Sequence, residues 1–133
     1  MAPTPLFLTL DEVLAIHADQ IERYGGGLGL RDLGLLQSAI AQPPATFDGQ
    51  LLHATLFDMA AAYLFHLAEN HPFVDGNKRV GTAAALVFLE LNDYEINVDE
   101  DLLAEFVLEV AQGRADKAAI SKFFRDHASQ LSQ

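Results

Sequence analysis

Cysteine is absent from the 133 residues. That excludes a disulfide framework, a thiolate metal site and a cysteine nucleophile, and fits a reducing compartment. Five histidines and the carboxylates are left for any metal or acid–base work. Basic residues are scarce, 8 Lys and Arg against 19 Asp and Glu, for a formal net charge of −11. Affinity for a polyanion comes mostly from basic surface neutralising phosphates, so direct nucleic-acid binding is not expected, although a local basic pocket is compatible with this balance. Long apolar runs are missing too: none approaches the roughly 20 residues that span a bilayer. The opening MAPTPLFLTL has neither a basic n-region nor a small-residue cleavage site. The expectation is a soluble protein of the cytoplasm with no membrane contact. What is present is a length suited to one core, with half the residues apolar, which predicts a single domain over residues 1–133.

The apolar pattern is helical throughout. In TLDEVLAIHADQIERYGGG, Thr9 and Glu12 have capping-box spacing, Leu10, Val13, Leu14, Ile16 and Ile21 recur at helical intervals, and three glycines close the segment. RDLGLLQSAIA predicts a shorter helix ended by Pro43 and Pro44, followed by a loop, ATFDGQ. LFDMAAAYLFHLAEN, preceded by Thr55, is apolar almost all round, as for a helix at the centre of a bundle. NKRVGTAAALVFLELN predicts another apolar helix and DYEIN an extended connection. Asp99 can cap DEDLLAEFVLEVAQ, stopped by Gly113, and Asp116 can cap a last helix, DKAAISKFFRDHASQ. The expected fold is all-α, a bundle of about six helices with at most a small hairpin around residues 43 to 52.

Between the two most apolar helices lies HPFVDGNKRV, residues 71–80. Pro72 cannot continue a helix, and Gly76 permits a tight approach. Lys78 and Arg79 then stand at a helix start, where the dipole is already positive and cations cost stability unless an anion binds. Backbone N–H groups there, with Gly76, Asn77, Lys78 and Arg79, make a candidate phosphate cradle. Asp75 is a hard oxygen ligand suited to Mg²⁺ shared with substrate phosphates, and His71 can accept a proton near neutral pH. Together they describe transfer of a phosphate-containing group from a nucleotide to an alcohol. Singly, each residue has an ordinary explanation: a His beside Pro is a turn residue, and Asp75 can cap the helix and pair with Arg79.

His71, Phe73, Asp75, Gly76, Asn77, Lys78 and Arg79 spell H-x-F-x-D-G-N-K-R, which resembles the signature of the Fic/Doc family, and within it the death-on-curing (Doc) toxins of bacterial toxin–antitoxin modules. FLTLDEVLAIH, YGGGLGLRDLGLLQSAI and AAALVFLELNDYEI resemble the same family, so the likeness runs over nearly the whole chain. The resemblance implies a small bundle of mostly six helices. It makes His71 the base toward a Ser or Thr hydroxyl, Asp75 the Mg²⁺ ligand and residues 76–79 the holders of nucleotide phosphates, with Phe73 a buried anchor. It also implies ATP as co-substrate, elongation factor Tu as a target in translation, and a separate antitoxin whose tail folds on binding.

Lys78 stands where the adenylyl-transferring Fic branch carries Gly, and Thr82 where that branch carries a second Arg. Both departures favour transfer of the γ-phosphate over AMP. Gly76, where the best-known Doc motif has Ala, leaves AMP transfer open, and a binding module without turnover is the alternative of another class. The family's inhibitory motif, S/T-x-x-x-E-G/N, is not found in the chain. ATFDGQ corresponds to the family's flap, which binds a target as an added strand, and reads equally as a surface connection. His17, His53, His66 and His127 lack zinc-site spacing, and Pro72 keeps His66 and His71 off a shared helical face. Phe106, Phe123 and Phe124 read as core, with an antitoxin groove as the alternative, and the acidic run DEDLLAEF reads as a solvated face.

Overall fold

In the computed structural model, which describes residues 4–131, the elements run α1 (Leu10–Tyr24), α2 (Leu33–Ala41), β1 (Thr46–Phe47), β2 (Gln50–Leu51), α3 (Leu56–Asn70), α4 (Asn77–Leu91), β3 (Tyr94–Ile96), α5 (Glu100–Ala111), α6 (Lys117–Asp126) and β4 (Ala128–Gln130). The six helices and the all-α class are those the periodicity predicts. Local chemistry sets their starts. Thr9 and Thr55 each form a reciprocal capping box, with Glu12 and Asp58, while Asp32, Asp99 and Asp116 accept from backbone N–H groups at the starts of α2, α5 and α6.

α3 is the axis of the bundle. Residues 59–64, Leu67 and Ala68 are buried, α2, α4, α5 and α6 pack against it, and α1 packs on α4. Its contact with α4 is close because both faces are built from small residues. A Cβ added at Gly81 would lie 3.1 Å from the Leu64 carbonyl oxygen, and Ala84 and Ala85 continue the same face. One hydrophobic core runs from Leu8 and Val13 through Leu36, Tyr63, Phe73 and Phe88 to Ile120 and Phe124. The Tyr63 hydroxyl, deep in that core, accepts from the Leu8 N–H at 2.9 Å, so it is not left unpaired by burial.

Two small antiparallel ribbons complete the fold. β1 and β2 form a hairpin through Asp48 and Gly49, both at positive φ (55° and 79°), as a two-residue turn matched to strand twist requires. The flap segment is therefore this hairpin, and its Phe47 is 76% exposed. The second ribbon corrects the expected length of the last helix. α6 stops at Asp126, and residues 128–130 pair with β3, Tyr94 opposite Gln130 and Ile96 opposite Ala128. Ala-Ser-Gln has no strand pattern of its own; the DYEIN extended segment supplies its partner. Of the three rings read as core, Phe124 is fully buried, while Phe106 and Phe123 are half-buried, stacked at 4.1 Å between ring centroids and packed against the core.

Candidate functional site

The site is the turn from α3 to α4, and its shape follows from where its backbone bonds go. α3 ends on His71, in the left-handed region at φ 48°, ψ 54°. A non-glycine residue there costs of order 1 kcal/mol and persists only when its surroundings hold it. Pro72 has no N–H with which to close the helix end. The closure comes from residues 29–32 instead. The Arg31 Nε donates to the His71 carbonyl at 2.6 Å and its Nη2 to the Asn70 carbonyl at 3.0 Å. The N–H groups of Arg31 and Asp32 both donate to the Pro72 carbonyl, and Val74 N–H donates to the Gly29 carbonyl. Leu30 and Phe73 form an isolated antiparallel bridge.

Asn77, at the first position of α4, is buried and staples the turn from within. Its Oδ1 accepts from Phe73 N–H at 2.9 Å, and its Nδ2 donates to the Phe73 carbonyl at 3.0 Å. That pair fixes which way the amide faces. Nδ2 also lies 3.2 Å from Nδ1 of His71, which sets the rotation of the imidazole. The Asn77 side chain is thus spent inside the protein, and its backbone N–H is the group left at the helix start. Phe73 is the buried anchor, stacked on the buried imidazole of His17 at 3.7 Å and 6°. Nε2 of His17 donates to the Asp75 carbonyl at 2.8 Å. Sequence reasoning set His17 aside as a zinc candidate and missed this supporting role. Its signal was the register of α1, since His17 follows Val13 by four residues and so lies on the core face.

Asp75 is exposed and does not pair with Arg79. Ion pairs among the described residues are Arg23–Asp19, Arg114–Glu109 and Lys122–Asp126, all away from the turn. Its Oδ1 accepts from Gly76 N–H at 2.9 Å and its Oδ2 from Gly27 N–H at 3.2 Å. The amides of Gly27 and Gly76, aided by the nearby charge of Arg79, hold this carboxyl below its usual range, so it is ionised at neutral pH. Gly26, at φ +111°, is pressed against it: an added Cβ would stand 2.8 Å from Oδ2 and 3.1 Å from Nη2 of Arg79.

Arg79 answers the question of two cations at one helix start differently from Lys78. Its guanidinium donates to the carbonyls of Gln20 and Gly25, at 3.4 and 3.0 Å, so half of the charge problem at α4 is balanced by the negative end of α1. Lys78 is exposed, and its carbonyl accepts from Thr82 Oγ1 at 2.8 Å. α4 is also the one helix among the described residues whose start carries no side-chain cap. Its N-cap is Gly76 at φ 79°. A cavity of about 370 Å³ opens over this end, lined by His71 and residues 74–79. The turn therefore brings together all six residues that the sequence singled out: His71, Asp75, Gly76, Asn77, Lys78 and Arg79. Beyond Lys78 and Arg79, a largely apolar groove of about 630 Å³ continues between α1, α4 and α5, past Thr82, Leu86, Leu103 and Val107.

No group of three or more His, Asp or Glu side chains able to enclose a metal occurs among the described residues. Asp75 offers a single ionised, exposed carboxylate beside uncapped helix amides. That donor set fits Mg²⁺, which takes one or two carboxylates and completes its shell with phosphate oxygens and water.

The family model described as the Fic/DOC family matches residues 7–89. The chain belongs to the Fic/DOC family. Among Fic/DOC proteins it is 47% identical over 88 residues to the Toxin Doc of Mycolicibacterium smegmatis (strain ATCC 700084 / mc(2)155), a match covering 62% of this chain and 68% of that protein. It is 31% identical over 115 residues to the Protein kinase doc of Escherichia phage P1, covering 86% of this chain and 90% of that one. The match to the phage protein extends beyond residues 7–89, since 115 residues exceed the span of the family model.

Proposed function

We propose that this Fic/DOC chain acts as one domain and is a Doc-type toxin. It transfers the γ-phosphate of ATP to a Ser or Thr hydroxyl of a translation factor resembling elongation factor Tu, and so arrests translation in the bacterial cytoplasm. The observation that carries the reading is the uncapped start of α4, with Gly76 in left-handed geometry and Lys78 and Arg79 beside it, facing the same cavity as His71. The kinase name of the phage relative supports the reaction type, and the toxin name of the mycobacterial relative supports the biological role.

In this reading the backbone N–H groups of Asn77, Lys78 and Arg79 and the two cations receive the nucleotide phosphates. Asp75 would hold Mg²⁺, which supplies charge neutralisation of the phosphoryl oxygens. His71 accepts the proton of the target hydroxyl as its oxygen bonds to the γ-phosphorus, and the bond from that phosphorus to the bridging oxygen breaks to leave ADP. For Nε2 to take that proton, the ring hydrogen must sit on Nδ1. The contact that gives way is the one to Asn77 at 3.2 Å, the longest that this side chain makes. The bulk and charge of Lys78 favour a nucleotide pose that presents the γ-phosphate. The neutralising partner is a separate antitoxin whose disordered tail folds into the apolar groove between α1, α4 and α5, which opens directly from Lys78 and Arg79.

The test is to incubate the protein and Mg²⁺ with bacterial lysate and ATP labelled at either the α- or the γ-phosphate. Label reaching protein from γ-labelled ATP alone, and lost in His71→Ala, is the expected result. Label from α-labelled ATP would assign the chain to the adenylyl-transferring branch. Tight nucleotide binding with no label from either source, unchanged in His71→Ala, would favour the binding module.

A further inference from the structure

Of the residues surrounding the turn, Arg31 lies outside the H-x-F-x-D-G-N-K-R stretch and has no part in the chemistry above. Yet it makes the shortest hydrogen bond to the backbone of His71, 2.6 Å from its Nε to the carbonyl oxygen. Three facts make that contact more than an ordinary surface bond. First, His71 is a non-glycine residue at positive φ, a geometry that its surroundings must impose. Secondly, the next residue is Pro72, so a usual backbone donor for the end of a helix is missing, and the planar fork of Arg31 holds the last two carbonyls, those of Asn70 and His71. Thirdly, Arg31 is itself anchored at both sides. Its own N–H and that of Asp32 donate to Pro72, Asp32 caps α2, and Asn70 Nδ2 donates to the Leu35 carbonyl at 3.0 Å.

We propose that Arg31 is the positioning residue for the His71 imidazole. Arg31 fixes the Cα from which the ring projects, and does so whichever ring nitrogen carries the hydrogen. The start of α2 thereby serves as the template on which the end of α3 is laid. With Arg31 gone, the backbone at residue 71 loses its only side-chain donor among the described residues and relaxes toward the commoner regions of φ and ψ. The imidazole then moves, while the helix amides, Asp75 and Lys78 that receive the nucleotide stay where they are. This inference rests on His71 being the base of the reaction above.

The experiment compares the full chain with Arg31→Gln and Arg31→Lys by two readouts. The first is transfer of γ-label from ATP to purified elongation factor Tu, analysed as kcat and as KM for ATP. The second needs no turnover: the ¹H–¹⁵N imidazole NMR signals of the free protein, with those of His71 identified by their loss in His71→Ala. Arg31→Gln is expected to lower kcat roughly 10- to 100-fold, the cost of displacing a reacting group by about an ångström, with KM for ATP within about twofold of the original. The His71 signals shift or broaden while those of the buried His17 stay in place, and Arg31→Lys, which keeps one donor, falls between. His71 signals unchanged in Arg31→Gln would overturn the proposal. So would a raised KM for ATP at unaltered kcat, which would make Arg31 a nucleotide ligand. Should Arg31→Gln not fold, Arg31→Lys decides by the same criteria. If the original protein transfers no label at all, the kinase reading fails, and the imidazole signals still decide whether Arg31 positions His71.

Discussion

At the scale of single residues, Gly25 and Gly26 separate strain from contact. Both have positive φ, +82° and +111°, but an added Cβ meets nothing within 4 Å at Gly25 and stands 2.8 Å from the Asp75 carboxylate at Gly26. Ala at either position carries a backbone cost on the order of 1–3 kcal/mol, Gly25 at ψ 179° lying in a region that only glycine visits readily. Gly26→Ala must also displace Asp75 or Arg79. It should therefore weaken the Mg²⁺ dependence of nucleotide binding several-fold by titration calorimetry, whereas Gly25→Ala leaves it unaltered. Equal effects of the two would show that the close approach to Asp75 has no bearing on the proposed Mg²⁺ site. The residue identities here were legible from the motif, but their division of labour was not. Asn77 reads as a phosphate donor and turns its amide inward, and Arg79 reads as an anion ligand and also reaches the carbonyl end of α1. The Arg79 contacts come from the end of α1, more than 50 residues earlier in the chain, and those of Asn77 from the left-handed turn only four to six residues before it, a fold of the backbone that apolar periodicity does not announce.

At the scale of elements, α3 and α6 are joined by a polar contact inside an apolar interface. Ser121 Oγ donates to Oδ1 of Asp58 at 2.6 Å, and the same carboxylate closes the capping box of α3 through its other oxygen. Burial alone would raise the Asp58 carboxyl. The hydrogen bonds from Ser121 and Thr55 outweigh it and hold the group below its ordinary value. Ser121→Ala should cost about 1–2 kcal/mol in urea unfolding, with helix content by circular dichroism retained. No change in the unfolding midpoint would mean that the contact contributes nothing net. The six helices were readable because their caps and apolar intervals are local: Thr9 with Glu12, Thr55 with Asp58, Asp116 before α6. β4 was not, since Ala128, Ser129 and Gln130 become a strand only by pairing with Tyr94, Glu95 and Ile96 more than 30 residues earlier.

At the scale of the whole molecule, one cluster links the connection after the hairpin, α3 and α6. Nζ of Lys117 lies 3.0 Å from Nε2 of His66 and 3.4 Å from Nε2 of His53, and sits over the Phe65 ring. Burial, then the Lys117 charge, push His66 down to about 4, and the same two causes lower His53. Nδ1 of His53 is buried with no partner among the described residues. Both folded-state values lie below the ordinary histidine value near 6.5, so on acidification the unfolded chain takes up protons first. The stability is present above about pH 6.5 and is lost as pH falls toward 4. After allowance for solvent screening the loss is on the order of 1–2 kcal/mol. Lys117→Met should flatten this slope in urea titrations at pH 7, 5.5 and 4.5 without removing it, because burial remains. Identical midpoints for the original protein at pH 7 and 4.5 would contradict the assignment.

The packing of α6 on α3 has a consequence for the order in which the chain leaves the ribosome. The central helix, which ends on His71, is covered on one side by residues 117–126 and braced on the other by residues 29–35. A nascent chain that has emerged through α4 carries every residue of the reactive turn, yet the face of α3 that α6 will cover is still bare. The helix on whose end the turn is built is therefore fully covered only once residues 117–126 have been synthesised.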